Sequence, residues 1–158
     1  MTLNMKTAFS LSDTLRAIDL LHAERCSCVI LGTAEPHDPR IFRERGVKDL
    51  FRLLHEEPEL LRGAFIADKV VGKGAAALMI LGGIGGLHAD VISSAALGLF
   101  RSAGIEPRYV SETPHIINRA GTDICPVEKL CAECRTAEEC LPLIADFIND
   151  GGQKQQAK

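Results

Sequence analysis

Aromatic residues are scarce in this sequence, which has one Tyr, six Phe and no Trp among 158 residues. Proteins that hold single-stranded nucleic acid stack the bases on aromatic side chains, so this scarcity argues against such a surface. A basic excess is also missing, because the formal net charge is −3 at pH 7, and nucleic-acid-binding domains are normally basic. We therefore expect no nucleic-acid partner.

Long apolar runs are missing as well. No stretch reaches the roughly 20 residues needed to cross a bilayer, and the first ten residues lack the basic start and apolar centre of a signal peptide. These absences predict a cytoplasmic protein without a membrane partner. In a reducing compartment, the six cysteines are expected to be thiols, metal ligands or catalytic groups rather than disulfides.

The apolar content is sufficient for one packed core. A chain of 158 residues, of which 46% are hydrophobic, has the size and composition of an ordinary single domain. Segments with helical periodicity, such as Leu11–Glu24, alternate with short β-branched runs, such as Cys26–Gly32. This alternation predicts an α/β domain with a mixed sheet. We expect a single domain over residues 1–150 and a disordered polar tail over residues 151–158.

The first candidate site is the segment Asp68–Gly74. We expect Asp68 to cap a helix that runs to about Leu81. Lys69 and Lys73 are four residues apart, so they would share one face of its first turns. Free N–H groups and the helix dipole favour an anion at that end. Two lysines there repel each other and the positive end of the helix, and a bound anion would offset this repulsion. The alternative is a capped helix whose lysines reach solvent.

The second candidate site spans residues 118–129. Cys125 stands just before a proline at a predicted helix start, a placement that lowers the pKa of a thiol. Glu128 lies three residues further on, where its carboxylate can bind a free N–H of that helix. Asn118 and Arg119 precede it in a glycine-containing loop, the type of element that carries ligand contacts. The alternative is an ordinary helix start with a buried cysteine.

A cysteine run follows this loop. Cys131 and Cys134 have the spacing of zinc ligands. The gaps to Cys125 and Cys140 fit no common zinc or iron–sulfur pattern well. We interpret these cysteines as small buried side chains and surface thiols, and a cysteine-rich metal-binding module is the alternative.

The tripeptide His88-Ala89-Asp90 imitates the His-x-Glu motif of zinc deaminases. In those enzymes the motif lies on a helix, whereas here it falls on a predicted strand, where His88 and Asp90 share a face. No Pro-Cys-x-x-Cys motif follows it. We therefore expect neither a metal site nor a cofactor.

Several segments together resemble a bacterial family that is catalogued as domain of unknown function 1893. They are residues 63–77 (GAFIADKVVGKGAAA), 91–93 (VIS), 116–122 (IINRAGT) and 125–129 (CPVEK). The resemblance covers most of residues 27–148. It implies a fold similar to that of cytidine deaminases, a three-layer sandwich in which a mixed five-stranded sheet lies between helices.

The resemblance also implies where a deaminase zinc site would lie. The helix opening at Asp68 corresponds to the deaminase His-x-Glu helix, and the helix at Ser93–Leu97 corresponds to the Pro-Cys-x-x-Cys helix. Neither segment carries a zinc ligand set. Deamination is therefore not inherited from the fold.

These patterns lead to the hypothesis of a non-zinc site for a small anionic molecule, in a cysteine-dependent enzyme. The catalytic residues would be Cys125, Glu128 and Asp68. The substrate-binding residues would be Lys69, Lys73, Asn118 and Arg119. The alternatives are a non-catalytic ligand-binding or regulatory module and the cysteine-rich metal module. The sequence leaves a homo-oligomer open.

Overall fold

Runs of aliphatic residues form one mixed sheet. The computed structural model describes residues 9–44, 47–118 and 120–151. Its strands are β1 (Cys28–Leu31), β2 (Arg40–Phe42), β3 (Phe65–Val71), β4 (Gly86–Ser93) and β5 (Arg108–Thr113). They pair in the order β2-β1-β3-β4-β5. β1 is antiparallel to both neighbours, whereas β3, β4 and β5 are parallel, so the predicted mixed five-stranded sheet is confirmed.

Local signals set the ends of several helices. At the first helix, Ser10 Oγ accepts the N–H of Asp13 at 3.0 Å and the Asp13 carboxylate accepts the N–H of Ser10 at 3.2 Å, which is a capping box. The helices are α1 (Leu11–Ala23), α2 (Lys48–Glu56), α3 (Pro58–Leu61), α4 (Lys73–Gly82), α5 (Ser94–Ser102), α6 (Pro126–Leu130) and α7 (Ala137–Asp146). None of these described helices is long and apolar enough to span a bilayer.

A π-helical turn, Phe147–Gly151, follows α7. Apart from Gly151, the tail for which we predicted disorder lies outside the described residues.

The two faces of the sheet are covered by different helices. Successive strand residues point to opposite faces, so Val29 and Leu31 pack against Ala17 and Leu21 of α1. On the other face, α4 is the central helix. Its residues 73–79 are all buried, and it packs against α2, α5, α6 and α7. The main core therefore lies between the sheet and α4.

The helix that we expected to open at Asp68 begins later. β3 continues through Asp68 and Lys69, and α4 begins at Lys73 with Gly72 as its N-cap. β3 is a central strand, and its pairing with β1 and β4 includes Asp68. This pairing overrides the local capping signal. Lys69 and Lys73 consequently do not share a helical face.

Candidate functional site

The start of α4 is capped by a carboxylate from a distant part of the chain. Glu128 of α6 accepts the N–H of Lys73 on Oε1 at 2.6 Å and the N–H of Ile116 on Oε2 at 3.1 Å. Its side chain is buried, and its negative charge lies at the positive end of the α4 dipole. The sequence predicts that Glu128 binds its own helix, and that is wrong. The anion at the start of α4 is this carboxylate.

Two glycines allow α6 to lie this close to α4. A Cβ atom on Gly72 would lie 3.0 Å from Oε1 of Glu128, and one on Gly74 would lie 2.3 Å from Cγ1 of Val127. The second distance is too short for any side chain to be accommodated without a shift. The Gly-Lys-Gly sequence therefore creates the surface onto which α6 docks.

Lys73 is a buried lysine whose side chain donates hydrogen bonds to backbone carbonyls. The residue as a whole is 7% exposed, and Nζ donates to the oxygen of Ala132 at 3.1 Å and to that of Cys134 at 2.5 Å. No carboxylate of a described residue lies within 4.0 Å of this ammonium group. An ammonium group has three donors, so the two carbonyls leave one N–H to be satisfied.

A cleft of about 320 Å³ opens beside Lys73. α5 forms one wall, with Ala95, Gly98 and Leu99 as its apolar part. The polar lining residues are Lys73, Ser102, Cys134 and Arg135. No acidic residue is among the described residues that line the cleft, so its charge is positive.

A larger depression of about 540 Å³ lies along α2 and reaches Ile148. Its charged side chains are of both signs, and Arg52 pairs there with Asp49 at 3.1 Å. Because its charges are mixed and paired, this depression gives less reason to expect a charged ligand than the cleft beside Lys73, despite its larger volume.

Three thiols influence one another near the cleft, and one of them, Cys134, lines it. The hydrogen bond with Cys140 lowers the pKa of Cys131, and the same bond raises the pKa of Cys140. Burial, followed by the hydrogen bond with Cys140, raises the pKa of Cys134. The six cysteines are free thiols, and no three of the described ones bring their sulfur atoms within 4.8 Å of one another.

The second predicted site is a folded loop. Cys125 is the N-cap of α6 and packs, half-buried, against the core on the α4 side. Its N–H donates to the oxygen of Ile116 at 2.7 Å. Asn118 closes the loop, because its Oδ1 accepts the N–H of Thr122 at 3.0 Å. Arg119 lies outside the described residues.

Asp68 and Lys69 lie on opposite faces of β3, as neighbours in a strand must. Asp68 stands opposite Cys28 on the α4 face, and burial raises the pKa of its carboxyl to about 7. Lys69 faces α1. Neither residue lines the cleft beside Lys73. The structure thus brings together Lys73 and Glu128, but it does not assemble the predicted residues around one pocket.

A histidine that the sequence reasoning missed joins the His88-Ala89-Asp90 motif. Nε2 of His22 lies 2.8 and 3.0 Å from the two carboxylate oxygens of Asp90, and Nε2 of His88 lies 2.9 Å from Oδ1. His22 follows Ile18 by four residues on α1, so it continues the apolar stripe that faces the sheet. That spacing is the signal that could have found it.

The mixed sheet with helices on both faces makes the chain an α/β protein. Residues 16–148 match the family described as TM1506: Domain of unknown function (DUF1893), and the chain belongs to that family. The crystal structure of a DUF1893 family protein (TM1506) from Thermotoga maritima is similar, with 25% sequence identity and a TM-score of 0.78. The match covers 87% of this chain and 91% of that chain. No curated protein matches the chain. The cytidine-deaminase-like label stays a prediction.

Proposed function

We propose that this domain binds a small anionic molecule in the cleft beside Lys73, as a ligand-binding or regulatory module without turnover. The observation that carries the proposal is the buried Lys73 ammonium group, whose partners are neutral carbonyls. The cleft volume, about 320 Å³, is at the lower end of the range of small-molecule sites. The size favours a ligand with few non-hydrogen atoms.

The charges of the cleft favour an anion. A buried ammonium group is costly unless it is paired, and the carbonyl dipoles of Ala132 and Cys134 compensate it only in part. The Coulomb attraction between the ammonium group and an anion about 4 Å away is on the order of 4 kcal/mol at an effective dielectric constant near 20. Arg135, which is exposed at the edge of the cleft, adds a second positive charge.

The place of the cleft in the fold also supports the proposal. Its walls include α4 and α5, the two helices to which the resemblance assigned the zinc-binding helices of deaminases. Their N-terminal ends follow the parallel strands β3 and β4, and the carboxyl ends of parallel strands are where α/β proteins commonly bind ligands. The shared location supports ligand binding and does not extend to deamination.

The properties of Cys134 and Cys125 favour binding without a covalent step. Cys134 lines it, but its raised pKa keeps the sulfur protonated at neutral pH, and a thiol is a weaker nucleophile than a thiolate. Cys125 does not line the cleft, and Lys69, which we predicted to bind the substrate, faces the other side of the sheet. The catalytic roles predicted for Cys125, Glu128 and Asp68 are therefore not part of the proposal.

Thermal unfolding with inorganic phosphate as the probe tests the proposal. At about ten times its Kd, a ligand that binds only the folded state adds roughly 1.4 kcal/mol of stability. For a chain of this size, the expected rise in Tm is roughly 3–6 °C. Sodium chloride at matched ionic strength separates specific binding from screening.

Three variants locate the effect. Lys73→Gln and Arg135→Gln should reduce the phosphate-dependent rise in Tm, because each removes a cation of the cleft. Lys69→Gln is the matched control, since it removes a lysine from the opposite face of the sheet and should leave the rise unchanged. An equal rise in wild type and K73Q, or no rise in wild type, would contradict the proposal.

A further inference from the structure

We propose that His22, His88 and Asp90 bind one divalent transition-metal ion on the α1 face of the sheet. The site is independent of the cleft beside Lys73, which lies on the opposite face. It departs from the expectation that the chain has no metal site. That expectation rested on the absence of the deaminase zinc motifs, whereas the fold adds His22 as a third ligand to His88 and Asp90.

The fold brings the three side chains together from distant parts of the sequence. The alternation of β4 points His88 and Asp90 toward the same face, and Leu87 and Ala89 between and beside them point into the main core. α1 lies over that face, and its last turn places His22 above Asp90, 68 residues away in the sequence. All three side chains are therefore held by regular secondary structure.

The geometry is close to that of a coordination sphere. One ligand atom from each residue can be chosen so that all three lie within 4.8 Å of one another. Tetrahedral zinc with ligands at about 2.0–2.1 Å separates them by about 3.3 Å. The present distances from Asp90 oxygens to the two Nε2 atoms, 2.8 and 2.9 Å, need only small side-chain rotations to reach that value.

The types of donor atom define the class of ion. Two imidazole nitrogens and one carboxylate oxygen suit zinc or ferrous iron, and three-ligand sites of this type leave coordination positions open. Calcium and magnesium prefer oxygen ligands throughout. Each imidazole would bind as the neutral tautomer, with its proton on Nδ1.

Two further observations favour a cation at this position. His22 lies in the last turn of α1, where the negative end of the helix dipole stabilises positive charge. The His22 side chain is 51% exposed, while those of Asp90 and His88 are 25% and 13% exposed. The site is thus open to solvent on the His22 side, and its other two ligands are held in place by the sheet.

Cobalt(II) titration of the full chain tests this inference, because cobalt substitutes for zinc and reports its ligands by visible absorption. We expect one Co²⁺ per chain, no thiolate-to-cobalt charge-transfer band, and displacement by Zn²⁺. Even outer-shell substitutions weaken metal sites by about 10–100-fold. Loss of a direct ligand in His22→Ala or Asp90→Asn should therefore weaken binding by about 100-fold or more.

His55→Ala is the matched control, because His55 is an exposed histidine of α2 that bonds to the oxygen of Phe51. It should bind Co²⁺ as wild type does. Because His22 is half exposed, H22A is expected to fold, and circular dichroism verifies this. The inference is overturned if wild type binds no Co²⁺, if H22A binds it equally, or if the absorption shows thiolate ligands from the cysteines. None of these outcomes bears on phosphate binding by the cleft.

Discussion

Replacing Asp68 by asparagine should change how the stability of the domain depends on pH. In the folded chain, burial raises the pKa of Asp68 from 3.8 to about 7, although its carboxylate accepts the N–H of Val70 at 3.2 Å. The unfolded chain ionises this group near pH 3.8. Between these two values the unfolded state releases a proton that the folded state retains, so folding becomes less favourable as the pH rises.

The magnitude follows from the two pKa values. One pKa unit corresponds to about 1.36 kcal/mol, so the rise from 3.8 to about 7 gives a penalty of about 4 kcal/mol at high pH. The penalty is absent below about pH 4 and complete above about pH 7. Asparagine has nearly the same shape and does not titrate. D68N adds the constant cost of an extra buried N–H, about 1–3 kcal/mol, which does not vary with pH.

The assay is urea unfolding of wild type and D68N across pH. The free energy of unfolding of D68N minus that of wild type should grow by about 2.5 kcal/mol from about pH 5 to about pH 8. Asp123→Asn is the control, because the exposed Asp123 has its pKa lowered by Lys129 and is ionised in both states over this range. A D68N difference constant to within about 0.5 kcal/mol, the precision of such measurements, would refute the reasoning.

Two further predictions concern the contact between α4 and α6. Gly74→Ala would place a Cβ atom 2.3 Å from Val127 and should destabilise the fold by about 1–3 kcal/mol or more. Gly98→Ala, on α5 with nothing within 4 Å, should stabilise it by roughly 0.5–1 kcal/mol; equal urea midpoints would contradict this reasoning. Glu128→Gln removes a charged acceptor at a helix start and should cost about 2–3 kcal/mol. The exposed Glu133→Gln should change stability by less than about 0.5 kcal/mol, and equal losses in the two variants would argue against the cap.

Much of the fold could be predicted from local signals. Ser10 with Asp13, and Thr136 with Glu139, stand three residues apart and mark helix starts that the structure shows. The same reasoning was wrong at Asp68, whose capping signal is as good locally. What overrides it there is pairing with strands on both sides, which depends on residues far away in the sequence.

The candidate site was predicted less well, for the same reason. The sequence singled out Lys73 and Glu128 as chemically important residues, and the structure joins them directly. It could not show that Glu128 accepts the backbone N–H of Lys73, because 55 residues separate the two. Nor could it show that the ammonium group of Lys73 donates to carbonyls that follow α6. His22 likewise becomes notable only when α1 packs over β1 and β3 and brings His22 to Asp90 of β4. Composition and spacing find the charged side chains, whereas the fold decides which of them remain available for a ligand.

The contacts of Lys73 with the C-terminal part of the chain bear on the order in which the protein forms during synthesis. Its backbone N–H and its ammonium group bond to residues that lie 55 to 61 positions later. A ribosome makes the N-terminal part first, so α4 emerges before the groups that satisfy its start exist. All five strands precede α6 in the chain, and the sheet can pair while the first residue of α4 is still open to water. Docking of α6 is therefore a late event, completed only after most of the chain has been translated.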